Sequence, residues 1–272
     1  MDNRPIGIFD SGLSGLTALK ELRQLLPQED LIYFGDTGRV PYGARSPQTL
    51  RRFAMENIRF LQSHDVKMIV AACGTISSIM TDEMIADLQI PFTGVVKAAA
   101  LAACRATRSG CIGVIGTSAT IRSGSYLRII REVLPHARVT ACACPLFVPL
   151  VENGYIEENN PVTELVARDY LSAFANQKPD TLVLGCTHYP LIAPLIGQIM
   201  GSGTVLIDPG RETARLVKEY LSAHGLQADE GEGQTRYFVS ADTEDFDAIA
   251  ARFLGHPLER PVEHVDVDDL CR

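Results

Sequence analysis

Short, branched apolar runs alternate with longer stretches of helical period along most of this chain. Ile6–Phe9, Leu31–Phe34, Lys67–Ala72, Pro91–Val95, Gly110–Ile115, Val139–Ala143, Thr181–Gly185, Thr204–Ile207 and Arg236–Ser240 read as strands, because compact apolar runs between turn residues suit buried parallel strands. Between them, apolar positions recur at helical spacing over Gly15–Leu26, Ser46–His64, Ser77–Leu88, Lys97–Thr107, Ser118–Leu134, most of Val148–Ala175, Leu191–Met200, Glu212–His224 and Asp245–Leu254. Pro47 suits the first turn of its helix. Pro41-Tyr42-Gly43 reads as a loop and Asp208-Pro209-Gly210 as a turn into a helix. This alternation predicts an α/β fold of mainly parallel sheets flanked by helices.

The pattern also restarts. Ile6-Gly7-Ile8-Phe9-Asp10-Ser11 matches Ile112-Gly113-Val114-Ile115-Gly116-Thr117, and Ile69-Val70-Ala71-Ala72-Cys73 matches Leu182-Val183-Leu184-Gly185-Cys186. Buried strands resemble one another by chance, but two matches in the same order count against chance. The expectation is two pseudo-symmetric domains with a cleft between them. Crossings near Pro91–Lys97 and Ile207–Gly210 would give residues 1–95 plus 208–272 to the first domain and 96–207 to the second.

The matched strands each end in a cysteine. Cys73 is followed by Gly74-Thr75, and Cys186 by Thr187-His188-Tyr189-Pro190. Each thiol is thereby delivered to the carboxyl edge of a sheet, where open α/β folds bind ligands. Two thiols placed this way suggest two equivalent reactive groups facing one substrate. A buried cysteine on its own is more often a packing residue, and a Cys–His protease-like nucleophile would leave the second cysteine unexplained. His188 either stabilises a Cys186 thiolate or makes a structural loop hydrogen bond. Glu152, after the apolar run Phe147–Val151, is either a helix-surface residue or a partner for His188. Asp10 is either a cap for the following helix or a group aimed into the cleft beside Cys73. The loop Asp10-Ser11-Gly12-Leu13-Ser14-Gly15 is either a tight turn or a cradle whose amides hold a carboxylate. It lacks the G-x-G-x-x-G spacing and the P-loop lysine, so a nucleotide is not indicated. Thr117, the counterpart of Ser11, is a supporting candidate.

Composition narrows the class. The chain has 272 residues, 46% of them hydrophobic, enough for two cored domains. A net charge of −8 without a basic run argues against nucleic acid as a partner. No apolar run approaches the roughly 20 residues that span a bilayer, and a strand follows Met1 too soon for a signal peptide, so a cytoplasmic protein is expected. The seven cysteines are then expected reduced. Cys104, Cys111 and Cys142 read as small core residues and Cys271 as exposed. Cys142 and Cys144 form a C-x-C pair on one strand face, but the second pair that a zinc site requires does not accompany it. No metal and no cofactor are expected.

Asp10-Ser11-Gly12, Pro41-Tyr42-Gly43, Cys73-x-Thr75, the stretch Pro145-Leu146-Phe147-Val148-Pro149-Leu150-Val151-Glu152, and Gly185-Cys186-Thr187-His188-Tyr189-Pro190 together resemble glutamate racemase, over nearly the whole chain and in the family's order. The resemblance implies a cofactor-independent amino-acid racemase of two pseudo-symmetric α/β domains that makes D-glutamate for peptidoglycan and cell-wall synthesis. It also implies catalytic acid/bases at Cys73 and Cys186, with substrate lined by Asp10, Ser11, Tyr42, Gly43, Gly74, Thr75, Thr187 and His188. Asp10 would support Cys73, and His188, with Glu152 behind it, would support Cys186. A homodimer is compatible with the resemblance. Two positions depart from the family: Gly74 stands where it usually has Asn, and Ser14 where it commonly has Gly.

The chemistry asks for such a pair. Racemisation removes the Cα proton from one face and returns one to the other, so two bases on opposite faces spare one base a journey around the substrate. The ordinary cysteine pKa of about 8.5 lies near neutrality, and neighbouring donors, helix N-termini and His188 are expected to enlarge the thiolate share. Donors such as the Thr75 and Thr187 hydroxyls and backbone amides would stabilise charge developing beside the carboxylate. Two readings compete: a relative acting on aspartate or another acidic substrate, for which position 74 is the reason, and a non-catalytic bilobed amino-acid-binding protein, against which the paired thiols argue.

Overall fold

A computed structural model describes residues 1–229, 231–241 and 246–270. Among these residues every strand pairing is parallel, in two sheets. Strands β1 (Ile6–Asp10), β2 (Leu31–Gly35), β3 (Met68–Ala71), β4 (Phe92–Gly94), β9 (Thr235–Val239) and β10 (Val262–His264) form the first, in the order β10-β9-β2-β1-β3-β4. Strands β5 (Cys111–Gly116), β6 (Arg138–Ala143), β7 (Thr181–Gly185) and β8 (Val205–Ile207) form the second, in the order β6-β5-β7-β8. The run β2-β1-β3-β4 thus repeats as β6-β5-β7-β8, strand for strand in the order the internal sequence matches require. After β8 the chain returns to the first sheet, where β9 pairs with β2.

The flanking helices in the first part of the chain are α1 (Leu16–Leu25), α2 (Pro47–Gln62), α3 (Gly74–Ser77), α4 (Asp82–Ala86), α5 (Val95–Ala106), α6 (Ser118–Ser123) and α7 (Ser125–Val133). They are followed by α8 (Phe147–Glu152), α9 (Pro161–Leu171), α10 (Ala193–Met200), α11 (Pro209–His224), α12 (Phe246–Leu254) and α13 (Val267–Leu270). Three of the starts are written in the sequence. Ser46, Asn160 and Asp208 each accept a backbone N–H from the first turn, and a proline follows each at the first helical position. Alternation along each strand sends neighbouring residues to opposite sheet faces. Ile6 and Ile8 join a core continuous with Leu182 and Leu184 of the second sheet. Phe9 packs under α2, and Ile112 and Val114 pack against α5 and α7.

Several predicted helices are broken. The helix predicted over Ser77–Leu88 shrinks to α4, started by Thr81, which accepts from Met84 N, while a separate short α3 begins directly after Cys73 and ends at Ser77. Ser118–Leu134 is interrupted at Gly124, whose φ of 67° is left-handed and favours glycine. Val148–Ala175 resolves into α8 and α9 with a loop between them. The helix predicted from Glu212 starts at Pro209, because Asp208 is its cap. Strand β10 escaped prediction, being a short edge strand with little burial. Asp245 and Cys271 lie outside the described residues.

Candidate active site

Both cysteine strands point their carboxyl ends at one cavity of about 570 Å³. All twelve residues singled out in the sequence line it: Asp10, Ser11, Tyr42, Gly43, Cys73, Gly74, Thr75, Thr117, Glu152, Cys186, Thr187 and His188. Cys73 and Cys186 are buried, at 5% and 8% exposure. The Cys73 thiol donates to Ser11 Oγ at 3.4 Å. Cys186 Sγ lies 3.5 Å from His188 Nδ1, and His188 Nε2 lies 3.0 Å from Glu152 Oε1. Glu152 therefore meets both expectations at once, since its side chain is 55% exposed and yet reaches the imidazole.

Asp10 likewise does two things. Its Oδ2 accepts from Gly12 N, Gly15 N and Ser14 Oγ at 3.2, 2.9 and 3.2 Å, so it caps its own loop. Two amides of that loop are thereby used by Asp10, leaving fewer for a ligand carboxylate. Asp10 Oδ1 is buried without a hydrogen-bond partner, in a side chain that lines the cavity. Such an acceptor is costly to leave bare and fits a donor such as a substrate ammonium.

The halves also touch each other across the floor. Ser14 Oγ lies 2.7 Å from Thr187 Oγ1, and Thr17 Oγ1 donates to Thr187 O at 3.1 Å. Thr75 Oγ1 lies 3.3 Å from Thr117 Oγ1. Gly74 faces the Gly185 carbonyl so closely that a Cβ at position 74 would stand 2.9 Å from that oxygen. The departure from Asn at 74 thus has a steric counterpart: the opposite backbone occupies the space.

Sequence reasoning missed part of the lining. Val40, Pro145, Val148 and Pro149 form an apolar rim, and Ser14 and Thr120 lie deeper. Thr120 was legible in principle, one helical turn after Thr117, to whose hydroxyl its backbone N–H donates. Behind Tyr42 stands a buried polar network with no local signal. The Tyr42 hydroxyl donates to Asp36, which also receives Arg39 Nε at 2.7 Å and Ser240 Oγ at 2.7 Å. Arg39 continues to Glu56 and Asn57. Tyr42 lines the cavity, but its hydroxyl is committed to this network.

An Asp/Glu/Hydantoin racemase family profile matches residues 6–217. The chain belongs to that racemase family. The glutamate racemase of Geobacter metallireducens is 48% identical to it over 256 residues, 94% of each chain. The structure of glutamate racemase from Thermus thermophilus in complex with beta-chloro-D-alanine is 45% identical, with a TM-score of 0.87 over 99% of this chain and 100% of that one. That of glutamate racemase from Francisella tularensis in complex with D-glutamate gives a TM-score of 0.90 at 36% identity, over 99% of this chain and 100% of that one. As a member of a racemase family the protein is an isomerase.

Within this racemase cleft the two thiols are held differently. Burial pushes the Cys73 thiol up to about 12, and the Asp10 carboxylate beside it adds to the shift; the Ser11 hydroxyl and the Ile76 and Ser11 amides oppose it without overcoming it. The donors thus act in the expected direction at Cys73, but burial outweighs them. Burial alone would discharge His188, but Cys186 and Glu152 together outweigh it and raise the imidazole to about 10. The other described cysteines do not line the cavity. Cys111 is buried, while Cys104 and Cys142 are half-buried. Cys142 and Cys144 donate to backbone carbonyls. Among the described residues no group of three or more metal-ligating side chains converges, and no helix is long and apolar enough to cross a membrane.

Proposed function

We propose that this chain interconverts L- and D-glutamate by proton transfer at Cα, with Cys73 and Cys186 as the two bases and no cofactor taking part. The observation that carries the reading is one cavity receiving a thiol from each of two equivalent strands, each with a different proton partner. In one direction Cys73 starts with its proton and Cys186, beside His188, starts as the base. Cys186 takes the Cα proton from one face while Cys73 delivers its own to the other. In the reverse direction the roles exchange. Asp10 Oδ1 receives the substrate ammonium. The Thr75, Thr117 and Thr187 hydroxyls donate to the substrate carboxylates and to charge developing in the transition state, with Ser11 and Gly43 completing the wall. His188 supports Cys186, and Glu152 helps Cys186 keep His188 charged.

Glutamate is favoured over aspartate because the relatives that match at full length are glutamate racemases. The product is suited to peptidoglycan synthesis, and a cytoplasmic location suits a site that depends on free thiols. The lobe boundaries follow the internal repeat, residues 1–95 plus 208–272 and residues 96–207.

The test is chiral analysis in deuterated water. Supplied with L-glutamate alone, the protein should yield D-glutamate carrying deuterium at Cα, and kcat/KM should be higher for L-glutamate than for L-aspartate. Product that keeps its protium removes the two-base mechanism. A preference for aspartate removes the substrate assignment.

A further inference from the structure

Helix α12 lies beyond residue 217, outside the stretch matched by the racemase family profile. It belongs to the first sheet's lobe, with Phe246, Ala250, Phe253 and Leu254 buried and its side packed on α1. Its last turn nonetheless reaches the residues around Cys186. The Phe253 ring meets the His188 imidazole edge to face, with centroids 5.6 Å apart at 83°. Next to it, Arg252 Nη1 donates to the Glu152 backbone carbonyl at 2.7 Å.

These contacts fall where the proton partner of Cys186 is least secured by its own lobe. Both His188 nitrogens are engaged, one with Cys186 and one with Glu152, which fixes the ring's axis but leaves its tilt to packing. Phe253 supplies that packing. Glu152 closes a six-residue helix, α8, and its side chain is 55% exposed. Helix ends leave carbonyls without intrahelical partners, and one-turn helices are marginal by themselves. Arg252 occupies the last α8 carbonyl and brings a cation to the negative end of the helix dipole.

We propose that α12 is a positioning element for the Cys186 half of the site, with Arg252 fixing Glu152 and Phe253 fixing the tilt of His188. This rests on the racemase reading above. Neither residue lines the cavity, so their loss acts on the proton partner and not on substrate contacts. The device also makes the base on one lobe depend on a helix of the other, so His188 takes its working position only when the lobes are together.

The experiment compares Arg252→Ala, Arg252→Lys and Phe253→Leu with the wild-type protein. Arg252→Ala should lower kcat about three- to tenfold, as expected for one hydrogen bond lost from a reacting geometry, with KM changed less than about twofold. Arg252→Lys, which keeps a donor and a charge, should recover most of the rate, and Phe253→Leu should slow kcat in the same way. Amide hydrogen exchange over residues 149–156, around the end of α8, should quicken in Arg252→Ala. A kcat within about twofold of wild type in both Arg252→Ala and Phe253→Leu would overturn the proposal. If the wild-type protein does not racemise glutamate, the functional reading fails separately. The exchange measurement then judges α12 alone, unchanged exchange sinking the proposal and faster exchange sustaining it.

Discussion

Cys73 and Cys186 arrive from the same place in two equivalent sheets, at the ends of β3 and β7. Around Cys73 the neighbours are a hydroxyl and a carboxylate, Ser11 and Asp10, and the thiol is pushed up to about 12. Around Cys186 the neighbour is an imidazole backed by a carboxylate, and that imidazole is raised to about 10. In the proposed mechanism, the repeated scaffold supplies the geometric symmetry that attack on two faces of one carbon needs. Unlike side chains set upon it supply the electrical asymmetry. Proton transfer through the site needs one full and one empty proton position at the outset, and a perfectly symmetric pair would not specify which is which.

The largest effect expected from disturbing this arrangement comes from removing either sulfur. Cys73→Ala and Cys186→Ala should each lower racemisation by about 10²–10⁴-fold or more, the usual contribution of a positioned acid or base, measured as kcat/KM in both directions. Near-normal turnover in either variant would end the comparison, because one base would then suffice.

A smaller change should make the halves more alike. Asp10→Asn keeps an oxygen acceptor for the Gly12 and Gly15 amides but removes the negative neighbour of Cys73. The Cys73 pKa should fall, though not to its ordinary value, because burial is the larger cause. Thiolate absorbance against pH, compared with and without Asp10→Asn in a Cys186→Ala background, reads it as the difference between the two titrations, and no difference would mean that Asp10 does not set the asymmetry.

The mildest change tests the other half. Glu152→Gln removes a charge that helps hold His188 at about 10. With a raised imidazole pKa, the protonated form adds stability that is complete below the ordinary value of about 6.5 and is lost as pH rises through about 10. Without Glu152 the folded value drops, so the alkaline limb of kcat/KM should move to lower pH. Because Glu152 is half-exposed and its charge screened, the loss near neutrality should be only about two- to fivefold. An alkaline limb that stays in place would detach Glu152 from the proton partner.

Much of this site is legible in the chain because its parts sit at strand ends. Apolar runs locate the strands, and the residue after each run is where the fold delivers chemistry, as for Asp10, Cys73 and Cys186. The repeat in sequence then pairs the two cysteines before any coordinates are considered. What escaped was set by contacts distant along the chain. The network of Asp36, Arg39, Glu56 and Asn57 behind Tyr42 has polar residues in a pattern that, read locally, looks like any solvated helix face. Arg252 and Phe253 belong to an ordinary amphipathic helix, and nothing in its period says that its last turn meets His188. The direction of the Cys73 shift was also beyond reach, since it depends on how deeply Asp10 and the thiol are buried together. Gly74 was visible as a departure, but its reason lay in the Gly185 carbonyl opposite.

Three ties across the cleft lie low in it: Ser14 to Thr187, Thr75 to Thr117, and Gly74 against Gly185. Each involves a residue next to, or one removed from, one of the two sulfurs. Rigid bodies turning about an axis move each point in proportion to its distance from that axis. A rotation of the lobes about this floor therefore swings the rim at Val40, Pro41 and Pro149 through the long arm and the sulfurs through the short one. On such a lever the spacing of the two thiols would change less than the width of the mouth. The α12 contacts to Glu152 and His188 are a second tie, so any such turn would have to carry them along or break them.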